Sequence, residues 1–148
     1  MLNYPQMPPL TQEEIEALLS QPLLAKICSL NTDGTIHVVP LLFGYADGEI
    51  LLGTQEITLK VRNIKQNSNV TVLVDTPDRP AKGIIMYGKA SLDYDNVIEK
   101  RVFIFSKYMP VEQAQGFAQA LANKWQPVVI RVKPHHIVSY DYAKGSLV

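Results

Sequence analysis

The chain has 148 residues, 47% apolar and 19% charged, the balance of one ordinary globular domain with enough material for a core. Fourteen basic and fourteen acidic residues cancel, so the chain as a whole offers no electrostatic footprint for nucleic acid. Cys28 is the only cysteine, which excludes an internal disulfide and fits a reducing compartment.

Taken in order, residues 1–9 carry three prolines and read as an irregular lead-in. They have neither a charged start nor an apolar signal core, and no run anywhere approaches the roughly 20 apolar residues that span a bilayer. The expected location is the cytoplasm, with no membrane partner. Thr11-Gln12-Glu13-Glu14 has the spacing of a capping box, and Ile15, Leu18 and Leu19 continue it as a short amphipathic helix that ends before Pro22. The period then shortens. Residues 24–30 predict a strand, Asn31 to Gly34 a tight turn, and residues 35–43 the partner strand. That partner is apolar on both faces, so burial on both is expected. Pro40 cannot donate to a ladder and implies an edge or a bulge. Such a strand could present free backbone groups to a flat ligand, or it could be a core strand that ends at a bulge. Ala46-Asp47-Gly48 signals a second hairpin leading into strand 49–53.

Residues 50–67 are the most informative stretch. The strand breaks at Gly53-Thr54, and helical spacing begins with Ile57, Val61 and Ile64 on one face. Thr54 and Thr58 lie near that helix start, where free N–H groups gather and the dipole is positive. Lys60, Arg62 and Lys65 follow with no acid between them. Two readings are open, an anion seat and a solvated basic face that covers the end of a barrel.

Residues 70–74 predict the next strand, Thr76 to Pro80 a loop, and residues 84–92 a fifth strand in which Gly88 marks a bulge or a close approach. Helices over 95–108 and 111–124 are split at Pro110, and residues 127–140 form the last strand. The result is a single, mainly β domain over 1–148, with six hairpin-linked antiparallel strands. Closing them into a small barrel removes their edges.

No metal site is expected. His135 and His136 are neighbours on a strand and point to opposite faces, and neither pairs with Cys28 or His37 at a metal-binding spacing. His37 lacks a visible carboxylate partner and no nucleophile elbow is present, so no catalytic residue is assigned. Trp125, Tyr140 and Tyr142 bracket the last strand as core, interface or ring-stacking residues.

Three stretches, in order, carry a family resemblance. Asp33-Gly-Thr-Ile-His-Val-Val-Pro40, Leu52-Gly-Thr-Gln-Glu-Ile-Thr-Leu-Lys60 followed by Arg62-Asn63, and Tyr87-Gly-Lys-Ala90 resemble the pyridoxamine 5'-phosphate oxidase-like, FMN-binding split-barrel superfamily. The likeness covers roughly residues 11–142. It implies a six-stranded antiparallel Greek-key split barrel that binds FMN, acts on a small-molecule substrate, and forms a homodimer with the cofactor at the subunit interface. It places Thr54, Thr58 and Lys60 on the phosphate, with Asn63 in the same motif. His37, Val38, Val39 and Pro40 then run beside the ribityl chain and ring, and Tyr140 approaches from the partner chain. The chain departs from the family at Ile36 or His37, where an Arg is usual, and at Gly83, where a ring-contacting Gln is usual. After Tyr140 it lacks the oxidase's Arg-x-His. These departures imply a redox enzyme other than the true oxidase. The resemblance also admits a reductase using the deazaflavin coenzyme F-420, and a non-catalytic flavin or haem carrier.

Overall fold

Helix α1 (Gln12–Leu19) begins at the predicted box: Glu14 N donates to Thr11 Oγ1 at 3.2 Å, and Thr11 N donates to Glu14 Oε1 at 2.9 Å. The structure, a computed structural model, describes residues 8–145, so most of the proline-rich lead-in lies outside the described residues. Strands β1 (Ala25–Leu30) and β2 (Ile36–Leu41) flank the predicted turn, where Gly34 takes φ +87°. Strands β3 (Phe43–Ala46) and β4 (Glu49–Gln55) are joined through Asp47 and Gly48, both at positive φ, which is the turn that matches a hairpin's twist. Helix α2 (Leu59–Gln66), strands β5 (Asn69–Asp75) and β6 (Lys82–Asp93), helices α3 (Val97–Phe105) and α4 (Val111–Lys124), and strand β7 (Pro127–Asp141) complete the order.

The sheet has seven strands, not six, in the order β2-β1-β5-β6-β7-β4-β3, and every pairing is antiparallel. The extra strand comes from the predicted segment 35–43, which divides at Leu42. Leu41 pairs with Ala25 at one edge of the sheet, while Phe43 pairs with Leu52 at the other. Two residues of extended chain reach at most about 7 Å, so the edges must come together and the sheet curls into a split barrel. In β6 the register slips between Tyr87 and Gly88, and a Cβ on Gly88 would lie 2.4 Å from the Lys133 carbonyl oxygen. Gly88 is therefore both bulge and close approach.

Strand alternation sorts two cores. Ile27, Phe43, Leu52, Val72, Ile84 and Ile130 fill the barrel, closed by Leu18 and Leu19 of α1 and Ile64 of α2. Leu51 and Val129, next in sequence to Leu52 and Ile130, point outward and pack under α3 and α4 with Ile104, Phe105, Ala114 and Ala118. The outer face of β2 is uncovered in the single chain: Ile36 is 67% exposed and Val38 55%. Burial of that strand on both faces, expected from its composition, does not hold within one chain, because β2 is an edge strand with nothing packed over its outer side.

An ion network staples β4, β7, β6 and α3. Arg131 donates to Glu49 at 2.6 Å and to Asp93 at 3.0 Å, and Lys100 Nζ reaches Asp93 at 2.7 Å. Burial alone would raise the Asp93 carboxyl. Lys100, the Asp95 amide and Arg131 outweigh it and hold the group at about 2. Because the folded value is depressed, the stabilisation is complete above the ordinary Asp range and is lost as pH falls from about 4 toward 2. Asp93→Asn should cost about 2 kcal/mol at pH 7 and almost nothing near pH 2, as measured by urea denaturation across pH.

Candidate functional site

The end of β4 and the start of α2 form a corner at one end of the barrel. Thr54 is 3% exposed, and its Oγ1 lies 3.5 Å from Thr58 Oγ1. The Thr58 hydroxyl donates to the Gln55 carbonyl at 2.9 Å and does not cap the helix it precedes. Among the described residues, the first-turn N–H groups of α2 therefore have no side-chain acceptor at the positive end of the helix dipole.

The helix starts two residues later than the apolar spacing predicts. Ile57, assigned to its buried face, lies before the N-cap and is 85% exposed. The face that packs inward is Lys60, Val61, Asn63 and Ile64, two apolar residues and two polar ones. Asn63, 2% exposed, donates through Nδ2 to Asn31 Oδ1 at 2.8 Å and to Ser29 Oγ at 3.2 Å. Asn31 Nδ2 in turn donates to Thr35 Oγ1 at 3.0 Å. Asn63 thus straps α2 to the β1–β2 hairpin. Opposite Ser29 on β2 stands His37, half-buried.

Lys60 is the unusual member. It is 8% exposed and has no ion pair or side-chain hydrogen bond among the described residues; burial pushes its ammonium below the usual lysine range. The remaining charges of α2 are solvated: Arg62 is exposed, and Lys65 pairs with Glu56, which also accepts from Tyr94 at 2.7 Å. A lysine whose side chain is buried without a counter-charge among the described residues, two hydroxyls and an uncapped helix start give this corner the chemistry that suits an anion.

The predicted ring-side residues divide by strand alternation. Val38 and Pro40 lie on the outer face with Ile36, whereas His37 and Val39 turn inward, opposite Ser29 and Ile27. Outside, a cross-strand row runs Val38, Cys28, Thr71, Tyr87, His136. A groove of about 330 Å³ lies beside it, lined by Leu30, Ile36 and His135 among others. Tyr140, expected to approach from a partner chain, stands apart from this group within one chain. It lies on β7, three intervening strands from β2, roughly 19 Å along the sheet. Its phenol rests over Gly83 of its own chain, where a Cβ would come within 2.5 Å of the hydroxyl.

Arg101 carries no signal in the sequence. It is 2% exposed on α3, and both Nε and Nη1 are buried without a partner. It lies against Gly53, where a Cβ would stand 3.1 Å from Nε, and its guanidinium carbon is 5.5 Å from the Phe105 ring centre. Gly53 is thus the residue that makes room for a guanidinium directly behind the end of β4, next to Thr54.

A curled antiparallel sheet split between β2 and β3, with an anion seat where β4 meets α2, defines a split-barrel protein with an attached helical pair. The family model for pyridoxamine 5'-phosphate oxidase matches residues 11–137, and the chain belongs to that family. No curated protein sequence matches the chain. Among solved structures, a conserved hypothetical protein from Mycobacterium tuberculosis is 18% identical, with 97% of this chain and 92% of that one superposed at a TM-score of 0.82. A protein described as an F-420 reductase is 23% identical over 82% of this chain and 94% of its own, at 0.66. A haem storage protein from Vibrio cholerae is 13% identical over 86% and 94%, at 0.67. At these identities the likeness establishes the fold. No helix among the described residues is long and apolar enough to cross a membrane.

Burial of the Lys60 side chain without a counter-charge disfavours its charged form and so lowers the stability of the unliganded fold. Lys60→Met should therefore raise the stability of anion-free protein, by about 1 kcal/mol or less, in denaturant titration. The sign follows from linkage. The unfolded chain binds more protons between the depressed folded pKa and 10.5, so wild-type stability rises with pH across that window, and the Met variant lacks this rise.

Proposed function

We propose that this protein is an FMN-binding flavoprotein that works as a homodimer, a small-molecule oxidoreductase distinct from pyridoxamine phosphate oxidase itself. The observation that carries this reading is Lys60, a largely buried lysine without an ion pair among the described residues, in the first turn of a helix that follows Thr54 and Thr58 and has no side-chain cap. A phosphate dianion supplies the missing counter-charge and accepts from the free N–H groups. With Thr54, Thr58 and Lys60 on the phosphate, the Asn63 strap fixes that end relative to β2, and the backbone of residues 37–40 runs beside the rest of the cofactor. The flavin supplies the electron chemistry. The chain's own residues bind, orient and exclude water.

The exposed Ile36 and Val38 and the groove beside them support a second copy of the chain covering this face, with the cofactor between subunits. FMN is favoured over the deazaflavin coenzyme by the state of the basic face. A polyglutamate tail needs several free cations, and Lys65 is already committed to Glu56.

The test starts with the visible spectrum of freshly purified protein and mass spectrometry of any released chromophore, followed by flavin titration. Lys60→Ala should weaken FMN by about 1.5–3 kcal/mol, the worth of a charged contact, and leave riboflavin, which lacks the phosphate, unchanged. A colourless protein that takes up neither FMN nor a deazaflavin would overturn the proposal. An equal loss for both flavins would place the seat elsewhere. Reduction of the bound flavin by NAD(P)H, followed by turnover with an acceptor, separates an enzyme from a carrier.

A further inference from the structure

Among the described residues two cations are buried, Lys60 and Arg101, and neither has an ion pair there. They flank one place. Lys60 is in the first turn of α2, and Arg101 packs on Gly53 at the end of β4. Asp141, the one buried acid of the described residues, lies at the other end of β7, opposite Lys82 in the ladder with β6. The interior charge is therefore positive and gathered at the corner where β4 meets α2.

Arg101 is the more anomalous of the two. Its Nε and Nη1 are the only buried side-chain nitrogen or oxygen atoms without a hydrogen-bond partner among the described residues. The Phe105 ring, 5.5 Å from the guanidinium carbon, offers a π face but no lone pair. Burial lowers the Arg101 pKa, but from a starting value so high that the group keeps its proton at neutral pH. An uncompensated buried charge is costly. An apolar side chain would fill the same space without that cost, so the guanidinium calls for a functional explanation.

With 2% of its surface exposed, Arg101 offers a ligand almost nothing to touch, and any effect is exerted through its field. The distance is short enough for that. A Cβ on Gly53 would stand 3.1 Å from Arg101 Nε. Neighbouring Cα atoms are about 3.8 Å apart, which puts Nε within about 11 Å of Thr54 Oγ1. Gly53 and Thr54 face opposite sides of β4, so the cation stands behind the strand and an anion on Thr54 before it. Buried charges are screened by salt much less than exposed ones. At an effective dielectric constant of about 20, a unit charge about 11 Å away changes the affinity of a monoanion roughly tenfold.

We propose that Arg101 is a specificity-determining residue of this corner, a cation buried behind β4 that favours a phosphorylated flavin over its unphosphorylated form. The inference rests on the flavin reading and deepens it.

The test compares the affinities of FMN and riboflavin, by quenching of flavin fluorescence, in full-length protein freed of any bound flavin. Wild type is set beside Arg101→Met, Arg101→Lys and Lys60→Ala. Arg101→Met should weaken FMN about tenfold and leave riboflavin within about twofold. Arg101→Lys, which keeps the charge, should hold FMN within about threefold of wild type. Should the Met variant fail to fold, Arg101→Gln, polar but uncharged, makes the same comparison. Equal loss of both flavins in a folded uncharged variant, or unchanged FMN affinity, would overturn the inference. So would a loss of FMN in Arg101→Lys as large as in Arg101→Met. If Lys60→Ala loses FMN selectively and Arg101→Met does not, this inference falls and the flavin reading stands. If wild type binds neither flavin, the reading falls and takes this inference with it.

Discussion

The fold depends on one short crossing. Leu41 and Phe43 belong to opposite edges of a seven-stranded sheet, yet only Leu42 stands between them. A flat or gently twisted sheet cannot satisfy that, so the sheet must curl until its edges nearly meet. Curling gives β4 and β7 a second buried side for α3 and α4, and it leaves β2 with its outer face open. The split also explains how Pro40 is tolerated: β2 pairs only with β1, so a missing N–H on its free side breaks no ladder.

The same curl brings the hairpin tip of β1 and β2 under α2. Asn63 converts that proximity into a fixed geometry, because its amide joins the helix to Ser29 and Asn31 while Val61 and Ile64 anchor it in the core. On the opposite side of the same strand end, Gly53 accepts the Arg101 side chain. The elements on either side of Thr54 are thus tied down, α2 by the Asn63 strap and β4 by the guanidinium packed on Gly53. Rigid support of this kind is what a preorganised binding corner requires.

Local chemistry was legible in the sequence where it decides local structure. The capping box at Thr11, the Asp47-Gly48 turn and the Gly88 bulge all follow from residue type and spacing, and the structure contains each of them. The split at Leu42 was not legible, because residues 35–43 form an unbroken apolar run whose two halves differ only in their pairing partners. The start of α2 was misplaced for a similar reason. Ile57 is in phase with Val61 and Ile64, and both Thr54 and Thr58 are good N-caps, so spacing could not choose between them. The exposure of Ile36 and Val38 was hidden because composition reports what a strand would bury, not what is present to bury it. Arg101 left no trace, since a lone arginine in an amphipathic helix normally lies in water.

Lys60 has a consequence outside the binding site. A cation stored without its counter-charge lowers the stability of the empty fold, and an anion that binds only the folded chain returns stability in proportion to RT ln(1 + [L]/Kd). For a chain of this size, with a total stability of about 5–15 kcal/mol, a shift of one or two changes the unfolded fraction exposed to proteases by roughly five- to thirtyfold. The lifetime of the chain in the presence of proteases would then follow the supply of the anion proposed for this corner. Through one side chain, copies that fold without an occupant would be the first exposed to proteolysis.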